Sequence, residues 1–556
     1  MPIEKALVTI DNRTVEITPG TTLRQYLADQ NLLDRHEDNP IAIASINGRR
    51  VSLAEPLFGE DRIRLIRLKE TEAHTTIQRT LLFVLNVAVD ELFPGARIKV
   101  DFSYGSGTYC ALADHTPLDA AQIATVEKRM YQLVDLDLAL TPQRFGLRAL
   151  QKMYQRLGDE ENLTTARYIR RDSLNLSRME GHDQLYYGRQ LPSTGYLRAF
   201  KLLPEAPGFV LLSNVKGEPA RIPEFLPQPK LLDTLREYTD WSENIQVNTT
   251  GRVNEYIVQG RTSELIQISE ARHTKFFVEA AQQIADMSDQ GRLVLLAGPS
   301  SSGKTSSAKR LSVQLRVLGY RPFALSLDDY FVDREDTPRS ADGDYDYEAL
   351  GALKVDLFNQ HLKALMAGEE VHLPRFNFRT GKAEEAATPT RLRRGDPLLV
   401  EGIHALNPLL TPAIPDFEKT RIYVSALCHL NIDNISYIKT THSRLYRRIV
   451  RDAQFRGYTA SDTLARWPKV RQGEEAHIFP HQNNADLFFN SGLTYEMAVL
   501  KLWAEPRLAA VDLDDPNYGL ARTLIDLLAL LLPIDASQVP PTSLLREFIG
   551  GSGFNY

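Results

Sequence analysis

The stretch Leu293-Val294-Leu295-Leu296-Ala297-Gly298-Pro299-Ser300-Ser301-Ser302-Gly303-Lys304-Thr305-Ser306 decides how the C-terminal half of this 556-residue chain is built. Its first five residues form an unbroken apolar run, the pattern of a strand buried on both faces. The next eight fit G-x-x-x-x-G-K-[ST] in full, and residues 306–315 carry helix-forming side chains. Glycines let the backbone curl so that successive N–H groups face a phosphate, and the following helix N-terminus adds its positive dipole end. Residues 298–306 are therefore expected to cradle the phosphates of ATP, with Lys304 reaching the β/γ oxygens and the Thr305 hydroxyl on Mg²⁺.

A phosphate loop alone names no reaction, so the residues downstream decide. A second apolar strand, 323–327, ends in Asp328-Asp329-Tyr330-Phe331, and a third, 397–400, ends in Glu401. Ligands of an open parallel sheet lie beyond the carboxyl ends of its strands. An acid at the first tip can accept a proton from an attacking hydroxyl, and one at the second can organise Mg²⁺. The plainer alternative is that both acids cap turns. Between them, Asp344-Tyr345-Asp346-Tyr347 and Leu373-Pro374-Arg375-Phe376-Asn377-Phe378 mix aromatic and polar groups, fit either to line an acceptor pocket or to pack as loop. Arg444, Arg447, Arg448 and Arg451 share one helix face by spacing, and Arg456 precedes Gly457. They read as a solvated basic face or, beside a phosphate loop, as a mobile lid that neutralises transferring phosphate.

Outward from this centre, the length calls for three or more domains. A net charge of −6 with 43% hydrophobic residues describes an ordinary globular protein without a general grip on nucleic acid or acidic membranes. Two cysteines, Cys110 and Cys428, suit a reducing compartment. The start shows no signal pattern, and the oily stretches 81–89 and 524–534 are too short to span a bilayer and read as buried helix, so a cytoplasmic protein is expected. Residues 1–68 alternate as short strands around one helix at 21–30, with an Asn47-Gly48 hairpin turn, which suggests a β-grasp module. Residues 69–218 mix helices at 75–92, 120–133 and 149–157 with a strand at 98–102. Residues 219–285 read as a connecting region that ends in a helix over 270–287. From 286 to 556 strands alternate with helices, as a parallel sheet with crossovers requires. The fold class is thus multidomain α/β and α+β.

The segment 292–490 resembles the uridine kinase branch of the phosphoribulokinase/uridine kinase family. The likeness runs through the phosphate loop, Leu325-Ser326-Leu327-Asp328, Tyr345-Asp346, residues 373–378, Val400-Glu401-Gly402-Ile403 and Arg447-Arg448-Ile449-Val450-Arg451-Asp452. It implies an ATP- and Mg²⁺-dependent kinase with Asp328 as general base and Asp346 on the acceptor's ribose hydroxyls. Tyr345, Tyr330 and Phe376 would lie near the acceptor, Glu401 would organise the metal, and Arg448, Arg451 and Arg456 would form the lid. Gly381 stands where uridine kinases place a base-reading histidine, and Phe376 lacks a hydroxyl, so the resemblance implies phosphoryl transfer more firmly than pyrimidine choice. The other acceptor class it allows is a non-nucleoside alcohol, as in phosphoribulokinase and pantothenate kinase.

Residues 1–68 resemble the TGS domain, and residues 69–218 resemble the editing domain of threonyl-tRNA synthetase. The second likeness shows in Glu91-Leu92-Phe93-Pro94, in Thr125-Val126-Glu127-Lys128-Arg129-Met130 and in Phe200-Lys201-Leu202. The paired histidine and cysteine positions of that editing chemistry fall here on Arg79, Phe83, Tyr186 and Gln190, so a hydrolase is not expected. Arg167, Arg170 and Arg171 leave room for a local RNA contact, and with it a third reading, an RNA- or ribosome-associated ATPase; self-association is also open. The ending Leu545-Arg546-Glu547-Phe548-Ile549-Gly550-Gly551-Ser552 is similar to that of bacterial uridine kinase-like proteins of the same layout. No mechanism follows from it.

Overall fold

The computed structural model describes residues 5–182, 185–187, 189–287, 293–340, 343–377, 380–385, 388–427 and 430–555, with the backbone alone for 185–187 and 385. Phe378, Cys428 and the Tyr186 side chain, all singled out above, lie outside the described residues. No described helix is long and apolar enough to cross a membrane.

The first sheet runs in the order Arg13–Ile17, Ala6–Ile10, Arg62–Arg67, Ile41–Ile46, Arg49–Val51, with the helix Leu23–Asp29 closing a small core of its own. Its middle pair is parallel, Ile10 opposite Ile63, and the rest antiparallel. Asn47 and Gly48 both take positive φ, as a type I′ hairpin turn demands.

Next come a four-stranded antiparallel sheet, Lys201–Glu205, Gly208–Leu212, Gly107–Leu112, Ile98–Tyr104, and a three-stranded one, Leu185–Tyr187, Ser173–Met179, Leu140–Gly146. The helix His74–Leu92 is apolar nearly all round because it is sandwiched: its residues pack both on the four-stranded sheet and on Ile43 and Ile66 of the first sheet. Ala120–Asp135 starts with a reciprocal cap between Asp119 and Gln122.

The third unit is an all-parallel sheet in the order Phe323–Ser326, Leu398–Glu401, Leu293–Ala297, Lys419–Ser425, Leu487–Asn490. Each face carries its own apolar core. The expectation of a connector over 219–285 is corrected here. Those residues form the helices Pro229–Asn244, Thr250–Val258 and Thr262–Ala285, and Val253, Leu265, Phe277 and Ile284 share one core with Val294 and Leu296 of the sheet. The prolines at 219, 223, 227 and 229 mark the entry to that layer. The stretch 524–534 is helical only to Leu528, after which Leu531 and Ile534 are buried from a turn.

The segment 430–439 ties this unit to the central sheet. Val100 donates its N–H to Asn434 O at 2.7 Å, Asn431 Nδ2 donates to Val100 O at 2.8 Å, and Thr165 Oγ1 donates to Ile432 O at 2.9 Å.

Candidate functional site

The phosphate loop joins Leu293–Ala297 to the helix Lys304–Val317. Two of its glycines are required by space. A Cβ on Gly298 would stand 1.9 Å from Val424 O, and one on Gly303, at φ +86°, would stand 2.0 Å from Leu544 Cδ2. Lys304 folds back over the loop, its Nζ 3.4 Å from Pro299 O.

Parallel registry brings the acids to the loop. Glu401 lies opposite both Leu296 and Ser326, so three strand tips end level. Thr305 Oγ1 and Ser326 Oγ each donate to Glu401 Oε1 at 3.1 Å. Burial, and then the neighbouring charge of Asp328, push the Glu401 carboxyl up to about 7, while Lys304 and the Thr305 hydrogen bond oppose that rise. Asp328 lies in the turn after its strand, where its N–H is held by Ser326 Oγ at 3.3 Å and the residue is exposed. A hydroxyl and a carboxylate at the loop's lysine end form an oxygen-only donor set of the kind Mg²⁺ takes.

Glu348 was missed by sequence reasoning, because it follows Asp346-Tyr347 in an irregular loop with no local signal. Burial and the charge of Glu474 push it up to about 7, and Arg448, Lys304 and Asp328 all bear on it. Asp346 accepts the Glu348 N–H at 3.1 Å and lies 3.5 Å from His477 Nε2. Tyr345 stacks under Arg339, 4.5 Å from ring centroid to guanidinium. Phe376 packs beside Phe331, and its N–H is held by Asp329 Oδ1 at 3.3 Å.

Tyr330 is a correction. It is fully buried against Phe358, with its hydroxyl 3.0 Å from His361 Nδ1, so it faces the core and not an acceptor. Gly381 sits in the hairpin between Pro374–Asn377 and Lys382–Glu385 at φ +71°, and the space beside it is filled by Arg334, 2.9 Å from an added Cβ.

The arginines divide. All but Arg456 lie on one helix, Thr440–Phe455, as the spacing predicts. Arg444 and Arg447 form neither a solvated face nor a lid. They are 1% and 0% exposed and brace the loop from behind, ion-paired to the buried Glu474 and Glu496. Arg444 donates to Ser300 O at 2.9 and 3.0 Å, and Arg447 to Ser302 O at 3.4 Å. Glu474 in turn accepts the Ser300 N–H at 3.1 Å. Arg448 reaches Ser300 Oγ at 2.8 Å, while Arg451 and Arg456 gather on Asp452 at 2.9 and 3.5 Å.

The C-terminal ending closes over the helix that starts the loop's far side. Leu544, Leu545 and Phe548 are fully buried, Phe548 lying under the Arg447 guanidinium. Glu547 Oε2 accepts from Ser306 Oγ at 2.6 Å and from the Ser306 N–H at 3.3 Å. A carboxylate on a helix N-terminus is favourable, and this one occupies a donor that a nucleotide phosphate would otherwise meet.

A phosphate loop level with two acidic strand tips and backed by arginines is suited to hold nucleotide phosphates and a divalent cation. Residues 293–498 match the Phosphoribulokinase / Uridine kinase family. Among solved structures, one described as a possible uridine kinase from Bacillus stearothermophilus is similar to part of this chain at 21% identity. It covers 39% of this chain and 98% of its own, with a TM-score of 0.27. The N-terminal region matches threonine–tRNA ligases. That of Maricaulis maris is 28% identical over 166 residues and that of Phenylobacterium zucineum 25% over 198, covering 30% and 35% of this chain. This chain spans only 26% and 30% of those ligases' own lengths.

Proposed function

We propose that residues 286–556 transfer the γ-phosphate of ATP to a hydroxyl of a nucleoside-like acceptor. The observation that carries this is the level meeting of Thr305, Glu401 and Ser326 at three strand tips, with Asp328 beside them. Residues 298–306 would hold the phosphates through backbone N–H groups, with Lys304 following the charge that builds on the transferring group. Thr305 and Glu401 would hold Mg²⁺, which supplies neutralisation of the phosphate oxygens. Asp328 takes the acceptor proton as its oxygen attacks in line.

Asp346, steadied by His477, would hold vicinal hydroxyls. Base choice should be weak, because Arg334 and the positive φ of Gly381 leave no room there for a reader side chain. The same feature favours, as a second reading, a polyol acceptor that is not a nucleoside. ADP release measured across nucleosides, their 2′-deoxy forms and sugars separates the two. On the true acceptor, Asp328→Asn should lower kcat by about 10²–10⁴-fold with ATP binding kept. Unchanged turnover with a raised KM would make Asp328 a binding residue and sink its role as base.

The RNA expectation finds little support in the arginines that raised it. Arg167 lies 3.6 Å from Glu255 and Arg171 pairs with Asp526, so two of the three are already neutralised.

A further inference from the structure

The arginine-bearing helix Thr440–Phe455 begins at a junction of all three units. Its N-cap, Lys439, supplies no side-chain cap, and its first turn holds no acid. Among the described residues, Lys439 Nζ bonds to uncharged groups, Thr75 Oγ1 at 3.3 Å and Gln78 Oε1 at 3.4 Å. Around it stand Arg79 and His74 of the helix His74–Leu92, Arg50 of the first sheet, and His442 one turn on, with Arg189 next to Arg79. Arg79 is the common neighbour, its charge bearing on Arg50, Arg189, Lys439 and His442.

What Lys439 and His442 lack among the described residues is a negative partner. Among the described residues, Arg50, Arg79, Arg189 and Lys439 make no ion pair; Glu72 bears on Arg50 and Asp526 on Arg189 from beyond ion-pair reach, while every charge bearing on Lys439 and His442 is positive: Arg79 and Arg50 on both, Lys216 on Lys439, and Lys439 itself on His442. Lys216 reaches Glu475 at 4.0 Å from the rim. Gln190, 3% exposed beside Arg189, accepts from Thr80 through Oε1 but leaves Nε2 with no partner among the described residues, as do His74 Nδ1 and His442 Nδ1. Clustered like charges raise the free energy of a fold unless a counter-charge arrives, and an uncapped helix N-terminus adds to the positive field. Inside the chain the one relief is proton loss: burial, then Arg79, Lys216 and Arg50, push Lys439 down to about 7. A nearby cavity of about 710 Å³ under the first sheet differs in this respect, since its Arg62 and Arg64 are neutralised by Asp514, Glu70 and Glu72.

We propose that this junction is an anion site that binds a phosphoryl group, of a small phosphate ester or of an RNA end, through Arg79, Arg189, Lys439 and the N-terminus of the helix Thr440–Phe455. It is distinct from the phosphate loop. Lys439 precedes Arg447 by eight residues, about 12 Å along the helix. The site does not depend on the kinase reading.

The test uses the full chain carrying Lys304→Ala, which weakens the phosphate loop, in phosphate-free buffer. Inorganic pyrophosphate titrated by calorimetry should bind at one equivalent per chain. The heat should depend on the buffer's ionisation enthalpy, because Lys439 takes up a proton as the anion arrives. Adding Lys439→Met or Arg79→Gln should each weaken binding at least tenfold. Neither should lower the unliganded Tm, since each removes a repelled charge. A short RNA bearing a 5′-phosphate that displaces pyrophosphate would identify an RNA end as the source, and pyrophosphate bound without RNA competition a small ester. No saturable binding of either, or binding indifferent to both substitutions, would overturn the proposal.

Discussion

The middle and the start of the helix Thr440–Phe455 treat positive charge in opposite ways. In its middle, Arg444 and Arg447 are almost wholly buried, yet each meets a buried glutamate and a phosphate-loop carbonyl. At its start, Lys439 and His442 are surrounded by cations, with no carboxylate bearing on them. The first arrangement is a finished internal network whose job is to hold the loop's shape. The second is unfinished within the chain. Buried positive charge thus means architecture where the counter-charge is covalently part of the fold, and a ligand site where it is not.

The largest effect expected from breaking this contrast is in the finished network. Arg447→Met should strand Glu496 without its partner and cost about 3–5 kcal/mol, read as a lowered urea midpoint at constant slope. A change near zero would mean that Glu496 is rescued by other donors and that the network is not what shapes the loop.

At the helix start the sign should reverse. The folded Lys439 sits at about 7 against its ordinary 10.5, so between those pH values the unfolded chain holds a proton that the folded chain has released. Wild-type stability should therefore rise with pH across that window relative to Lys439→Met, and the deficit should be full below pH 7. A tenfold change in proton affinity is worth about 1.4 kcal/mol, and partial access to solvent brings the expected gain to about 1–3 kcal/mol. Parallel stability–pH curves for the two proteins would remove the contrast.

Glu547 sharpens it at a third point, since the C-terminal ending also lays an acid on the loop, at Ser306. If that acid stands in for a phosphate, Glu547→Gln should tighten ATP by about 1 kcal/mol, roughly fivefold in Kd by calorimetry. Weaker ATP binding would instead class Glu547 with Glu474 and Glu496, as a brace.

What could be read in advance was local. Asn47-Gly48, the apolar run 293–297 and the spacing of the glycines with Lys304 each encode a backbone shape within a few residues, and the structure has those shapes. Tyr330 was misjudged for the complementary reason. Its neighbours in sequence are Asp328 and Asp329, but its neighbours in space are Phe358 and His361, and only the second fact sets its environment.

By itself, then, the sequence determined a phosphate loop on a parallel sheet, acids at two strand tips, and a helix with arginines on one face, because backbone conformation and side-chain periodicity are short-range properties. Which arginines face solvent and which are sealed was decided by tertiary structure alone. Arg444 finds Glu474 30 residues on, Arg447 finds Glu496 at 49, and Ser306 finds Glu547 at 241. Charge compensation depends on distance in space and on the loss of water around the pair, and neither quantity is written in the spacing of residues along the chain.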